Sequence, residues 1–204
     1  MRIIVWGLMV LAVGCGGSGS GGSSPTSPTS PTNPGSSGPN TTAPQLTAAF
    51  VSPDAALAFY VFGAALPSGV QNPTWEIETA SQTTPVFAAM TGKIMAITPT
   101  SQGDMAVTFM TADDSIYVLV HDHVNDVRVS VGQTVTAGTQ IGIVGRLGNG
   151  RGRTELQLNR RQPAPEVAVC LRNFFSTTIN DQFQAAAQRL NGSSSTCLAD
   201  TVVP

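Results

Sequence analysis

The chain has 204 residues, room for one domain plus appendages, and a formal net charge of −2. So small a charge argues against nucleic acid or an anionic membrane surface as a partner. Nine of the ten basic residues are arginine, with Lys93 the only lysine, and no function follows from that bias.

The first segment, residues 1–14, reads as a targeting signal. Arg2 supplies a positive start, Ile3 to Val13 is apolar, and small residues precede Cys15. The apolar run is too short for a helix across a hydrocarbon core of roughly 30 Å, which needs about 20 residues. Leu11-Ala12-Val13-Gly14-Cys15 resembles the bacterial lipobox. That resemblance implies lipidation of Cys15 and cleavage just before it; the alternative is an ordinary secretory signal with an incidental cysteine. Three cysteines are odd for an exported protein. With Cys15 lipidated, Cys170 and Cys197 permit a single pairing, and export favours a disulfide over two free thiols.

Residues 15–44 form a low-complexity linker, first Gly/Ser and then Ser-Pro-Thr repeats. It has almost nothing apolar to bury, so nothing offsets the entropy of ordering it. Its proline-rich part predicts a stiff spacer of about 3.1 Å per residue. Residues 45–204 are the expected folded domain, long enough for a real core.

Within that domain, Ala55 to Val61 is apolar and fits a strand or a short helix equally. Leu66-Pro67-Ser68-Gly69 and Asn72-Pro73 predict turns. Trp75 to Glu78 alternates as a strand does, and Pro85 to Ile97 reads as strand, turn, strand. Gly103-Asp104 leads into a strand from Met105 to Met110. Asp113-Asp114 turns the chain into Ser115 to His121, which is rich in β-formers. The organising stretch is Val127 to Gly145. Val127, Val129 and Val131 alternate with polar residues and predict a half-buried strand, and Gly132 and Gly138 mark turns. Leu147 to Arg153 is a loop with three glycines and two arginines. After it, Leu156 and Leu158 point one way and Glu155, Gln157 and Asn159 the other. One helix is predicted. Thr177 or Thr178 caps it, Ile179, Phe183, Ala186 and Leu190 form its apolar face, and Gly192 stops it. The expected fold is mostly β, an antiparallel sandwich or barrel-like core with one C-terminal helix.

The order of these pieces resembles the lysostaphin/LytM-type zinc endopeptidases, whose core is a duplicated hybrid motif. Pro85-Val86-Phe87-Ala88 with Gly92-Lys93-Ile94 matches that family's P-V-x-A-x-x-x-G-x-V segment. Val129, Gly132, Val135, Gly138, Ile141, Gly142 and Gly145 match its V-x-x-G-x-x-V-x-x-G-x-x-I-G-x-x-G segment. The resemblance covers roughly Trp75 to Arg160. It implies zinc held by a histidine and an aspartate before the Pro-Val strand and by the second histidine of a closing His-x-His. A further histidine, nine residues before the first turn glycine, assists the chemistry, and His123 stands at that place. The closing pair falls on Glu155 and Gln157, so Gln157 replaces a ligand. No histidine precedes Pro85; Asn72 or Thr74 lies near the missing histidine's place, and Glu76 or Glu78 near the aspartate's.

A glutamine amide is a poor zinc donor, so the expectation is a catalytically inactive domain with no metal. The groove is expected to be lined by His121, His123, Glu155, Gln157 and Glu78, with Arg151 and Arg153 on the loop above. His121 and His123, two apart on a strand, are expected to share a face. Such a groove suits a glycan or peptide. The implied protein is a lipid-anchored, exported pseudoenzyme of the cell envelope that binds peptidoglycan or an envelope partner. The alternative is a zinc-dependent cell-wall endopeptidase with altered ligands, His123 being its catalytic residue. An unconventional metal site of His121, His123 and Glu155 belongs to that reading. A biotinyl- or lipoyl-type carrier is disfavoured, because Lys93 sits in the wrong half of the motif.

Overall fold

The computed structural model describes residues 39–203. The expected signal segment, Cys15 and most of the expected linker lie outside them. Ordered pairing begins at Asn40, which bridges to Ser115. The described residues form eleven strands: β1 (Ala56–Tyr60), β2 (Trp75–Thr79), β3 (Pro85–Phe87), β4 (Gly92–Pro99), β5 (Met105–Met110), β6 (Tyr117–Asn125), β7 (Thr134–Val135), β8 (Gln140–Arg146), β9 (Gly152–Arg160), β10 (Val167–Val169) and β11 (Thr201–Val202). One α-helix, α1 (Thr177–Asn191), follows β10. The strand order is β1-β2-β9-β8-β6-β5-β4-β7, with β3 on β8 and with β10 joining β9 to β11. Every strand pairing is antiparallel, and the sheet does not close into a barrel. The mostly-β expectation with one C-terminal helix holds.

Strand β9 is the hub. Its first half pairs with β2 on one side and β8 on the other, and its length from Glu155 to Arg160 pairs with β6. Its alternation therefore sorts residues between a buried face and a polar face, not between core and the open side of an edge strand. Thr154, Leu156 and Leu158 are buried; Arg153, Glu155, Gln157 and Asn159 are half-buried on the other face.

Beneath the buried face lies an aromatic cluster. Phe183 of α1 sits 5.1 Å from Trp75, 5.3 Å from Phe50 and 5.5 Å from Phe175. Phe183, Ala186 and Ala187 are buried, with Ile179 and Leu190 packed alongside, so the expected apolar stripe is the face that docks. The N-cap is Ser176, one residue earlier than the threonines, and Gly192 ends the helix at φ 70° with its N–H on the Gln188 carbonyl. Cys170, just after β10, is disulfide-bonded to Cys197 in the tail, 27 residues on. Closing a loop of that length stabilises by about 3–4 kcal/mol on the chain-entropy account.

Val127 to Val131 is not the strand that its alternation predicts. Asp126 has a positive φ of 47°, which breaks the extended run leaving β6. The segment continues as an irregular connection beside β8, tied by the Arg128 N–H to the Ile141 carbonyl. Val129 is buried while Val131 is 61% exposed.

Candidate active-site groove

The polar face of β2, β9 and β6 carries the candidate site. Glu76 of β2 stands directly across from Glu155 of β9, and Asp122 of β6 stands across Glu155 on its other side. Directly opposed residues share a face, so three carboxylates converge by register alone. Leu156, one position on, is opposed to Trp75 and His121, and that trio faces the core.

His123 joins the carboxylates through a bulge. Between β5 and β6 the register passes from Val107↔His121 to Met105↔Val124, an extra residue on β6. His123 takes the left-handed backbone, φ 57°, that this insertion requires. The bulge reverses the expected alternation. His121 stays in the core against Phe50 and Phe109, while His123 turns into the groove. The two histidines do not share a face, and His121 is no part of the groove. A positive φ is uncommon outside glycine, histidine being among the enriched exceptions, and such positions cluster at functional sites.

The His123 ring is gripped on both sides. Nδ1 lies 3.0 and 3.1 Å from the two Asp104 carboxylate oxygens and so carries a hydrogen that it donates. Thr100 donates its hydroxyl to the same carboxylate. On the other side, Nε2 lies 3.2 Å from Glu155 Oε1 and 2.7 Å from Arg153 Nη2. With Nε2 bare, the ring accepts from the guanidinium; with Nε2 protonated, it donates to Glu155. Burial opposes charging this imidazole, but the hydrogen bonds to Glu155 and Asp104 outweigh it and raise its pKa above the ordinary value. Glu155 shifts the other way. Burial raises it, yet the contact with His123 and the charge of Arg153 leave it lowered overall. Glu76 is raised, chiefly by burial and then by the Glu155 charge. Asp122 is raised by burial as well.

Gly145 of β8 makes room for this arrangement. A Cβ there would collide with the Asp104 carboxylate and lie 2.8 Å from the Cβ of His123. The last glycine of the turn pattern is thus needed by the site and not by a turn.

Arg153 is not on the loop; it is the second residue of β9, and its side chain reaches into the groove. Nη1 is 3.4 Å from Glu76 Oε1, and Nε is 3.9 Å from Glu155 Oε1. Arg151 does lie just before the strand, with Nη2 2.6 Å from Glu78 Oε2, while the Tyr60 hydroxyl donates to Oε1 of the same glutamate. Gln157 shares the face of Glu155, one step further along β9, and donates to Asn159, which donates to Glu166. The structure therefore gathers His123, Glu155 and Arg153 with Glu76, sets Glu78 and Arg151 beside them, and leaves His121 in the core.

Three participants escape a reading of the chain alone. Asp104 reads as a turn residue, Tyr60 as part of an ambiguous apolar run, and Asp122 as a spacer between two histidines. Asp104 meets His123 across 19 residues, a contact that only the sheet register creates. Asp104, Asp122 and His123 offer ligand atoms all within 4.8 Å of one another. A group able to hold a metal ion is thus present where the leading expectation has none, and it shares only His123 with the His121, His123 and Glu155 set of the alternative.

Residues 74–167 match the model of peptidase family M23. This region resembles the domains of that family. The match starts one residue before β2 and ends in β10, so it takes in every groove residue named above except Tyr60. Solved structures similar to the chain include lysostaphin in solution, with 18% identity and a TM-score of 0.45, covering 71% of this chain and 54% of that one. A mutant catalytic domain of the prophage-encoded M23 protein EnpA from Enterococcus faecalis has 22% identity and a TM-score of 0.47, covering 61% of this chain and 94% of that one. LytU has 20% identity and a TM-score of 0.48, covering 66% and 91%. The chain thus spans about half of the lysostaphin structure, 54%. No curated protein matches it. No helix among the described residues is long and apolar enough to cross a membrane.

Proposed function

We propose that the M23-like domain is a non-hydrolytic binding module of the bacterial cell envelope. In this reading it is exported, tethered by lipid on Cys15 through the 15–44 linker, and recognises peptidoglycan or an envelope protein with its groove. The observation that carries it is the Arg153 guanidinium lying among His123, Glu76 and Glu155.

A zinc ion held in the family's way needs nitrogen, sulfur or carboxylate donors at three positions. The residues at those positions do not fit it. Near the missing histidine's place, Asn72 is buried and fully used: its amide nitrogen donates to the Tyr60 and Val61 carbonyls, and its oxygen accepts from the Thr74 N–H and hydroxyl, so Thr74 offers only a hydroxyl already bonded to it. Gln157 is a neutral amide bonded to Asn159. At the aspartate's place Glu76 or Glu78 remains a good donor, and an arginine already faces each. Recognition then rests on the groove's half-buried glutamates, amides and arginines, which can hydrogen-bond to a glycan or peptide.

The test sets purified domain beside intact sacculi. Co-sedimentation with sacculi, no release of muropeptides and no loss of binding in chelator are expected. Muropeptide release that chelator abolishes would refute the reading. It would instead support a zinc endopeptidase with altered ligands, which the Asp104, Asp122 and His123 donors favour; His123→Ala would then abolish cleavage.

A further inference from the structure

The groove holds its own cation. Two carboxylates of β2 and β9 face each other across one register step, Glu76 and Glu155, and their side chains are only 15% and 17% exposed. Two half-buried anions side by side repel, and each loses hydration. Elsewhere a dication solves that problem. Here a single side chain does: the Arg153 guanidinium, 18% exposed, directs one nitrogen to Glu76 and another to His123 Nε2, while its Nε faces Glu155. Its planar fork serves several acceptors in different directions, which a lysine ammonium on a flexible stem does less well.

We infer that Arg153 is a resident counter-cation, which fills the place between Glu76, His123 and Glu155 and keeps divalent metal out of it. The inference rests on the non-hydrolytic reading above and adds its physical cause. The fit is reciprocal. Glu76 carboxylate, Glu155 carboxylate and His123 Nε2 are hard or borderline donors, a set that takes zinc once nothing positive stands among them. The arginine costs the site its Lewis acid and leaves a groove that presents hydrogen bonds. Removing the guanidinium without emptying its space should therefore convert a metal-refusing groove into a metal-binding one.

The variant is Arg153→Gln, which removes the charge and keeps much of the stem. Zinc is titrated calorimetrically into wild type, R153Q, the triple variant E76Q/R153Q/E155Q, and R153Q/D122N, and thermal unfolding is followed with and without zinc. Wild type should take up no zinc in the groove and gain no thermal stability from it. R153Q should melt lower than wild type and recover several degrees when zinc is added. That recovery should vanish in the triple variant and survive in R153Q/D122N, which separates this site from the Asp104–Asp122–His123 group. A measurement on wild type alone guards against a variant that does not fold: the Arg153 side-chain NMR signals should stay unmoved by zinc. Zinc in the wild-type groove, read as displacement of those signals, overturns the inference. So does an R153Q protein that folds and refuses zinc, and in that case the sacculus-binding reading stands untouched. Zinc-dependent muropeptide release by wild type would instead overturn both.

Discussion

His121 and His123 are two residues apart on one strand and live in opposite chemical worlds. His121 is fully buried between aromatic rings, Nδ1 has no partner, and burial pushes its pKa down to about 3. His123 sits among carboxylates that hold its pKa up. Residue type and nominal strand position are the same. What separates them is the bulge that turns one ring over, and with it the sign of the local field. The same division runs through the neighbouring strands: Trp75 and Leu156 below, Glu76 and Glu155 above, one pleat apart. A site built on such a sheet is held in place by the core on its underside, so the two faces can be perturbed separately.

The largest expected effect comes from below. Trp75 is fully buried and stacks on Phe175 at 5.2 Å, with Phe183 and Phe59 against it. Trp75→Ala should cost about 3–5 kcal/mol in denaturant unfolding. Glu76→Gln, its neighbour on the upper face, loses a long, largely buried contact with Arg153 but also a repulsion with Glu155, and should cost no more than about 1–2 kcal/mol. Equal losses from the two would mean that the faces are not independent.

The next effect distinguishes the histidines by pH. His121 has a folded pKa near 3, below the unfolded value near 6.5. The unfolded chain therefore binds the proton first, and stability falls as pH drops from about 6.5 toward 3. The loss is about 1.4 kcal/mol per pH unit, or about 3 kcal/mol by pH 4. His123 runs the other way. Its folded pKa is raised, so its contribution is complete below the unfolded value and fades as pH rises through the folded one. Unfolding midpoints measured from pH 4 to 8 should show His121→Leu flattening the acid side of the wild-type profile and His123→Gln flattening the side above about pH 6.5. An unchanged acid limb in His121→Leu would sink the assignment of that loss to the buried ring.

Much of this was legible in the chain, and the failures have a common cause. Turn glycines and alternating core residues are local signals, so strands β2 to β6, β9 and the face of α1 could be read directly. The disulfide followed from counting cysteines. Contacts set by register could not be read, because they depend on which residue of a distant strand stands opposite. Asp104 meets His123 only through the β5–β6 pairing, and Glu76 meets Glu155 only through β2–β9. The bulge at His123 is the sharpest case. Strict alternation put both histidines on one face, and an inserted residue undid it. Val127 to Val131 failed for a related reason, since the positive φ at Asp126 leaves no trace in a pattern of valines.

Gly145 offers the smallest and most local way to disturb the upper face alone. It lies in β8, away from the aromatic cluster, and its missing side chain leaves the space filled by the Asp104 carboxylate and the His123 Cβ. Gly145→Ala keeps the strand's backbone within reach of any residue, so its cost is steric and should be about 1–3 kcal/mol, as for other overpacked positions. The informative readout is not the size of that loss but where it lands. Pushing Asp104 aside weakens the hydrogen bond at Nδ1, one of the contacts that raise the His123 pKa, while His121 feels nothing. Imidazole NMR titration of the variant should show the His123 transition moved down toward its ordinary value, with His121 still uncharged until the protein unfolds. A shift of both rings together would mean that the bulge transmits strain along β6 and that the two faces are one mechanical unit.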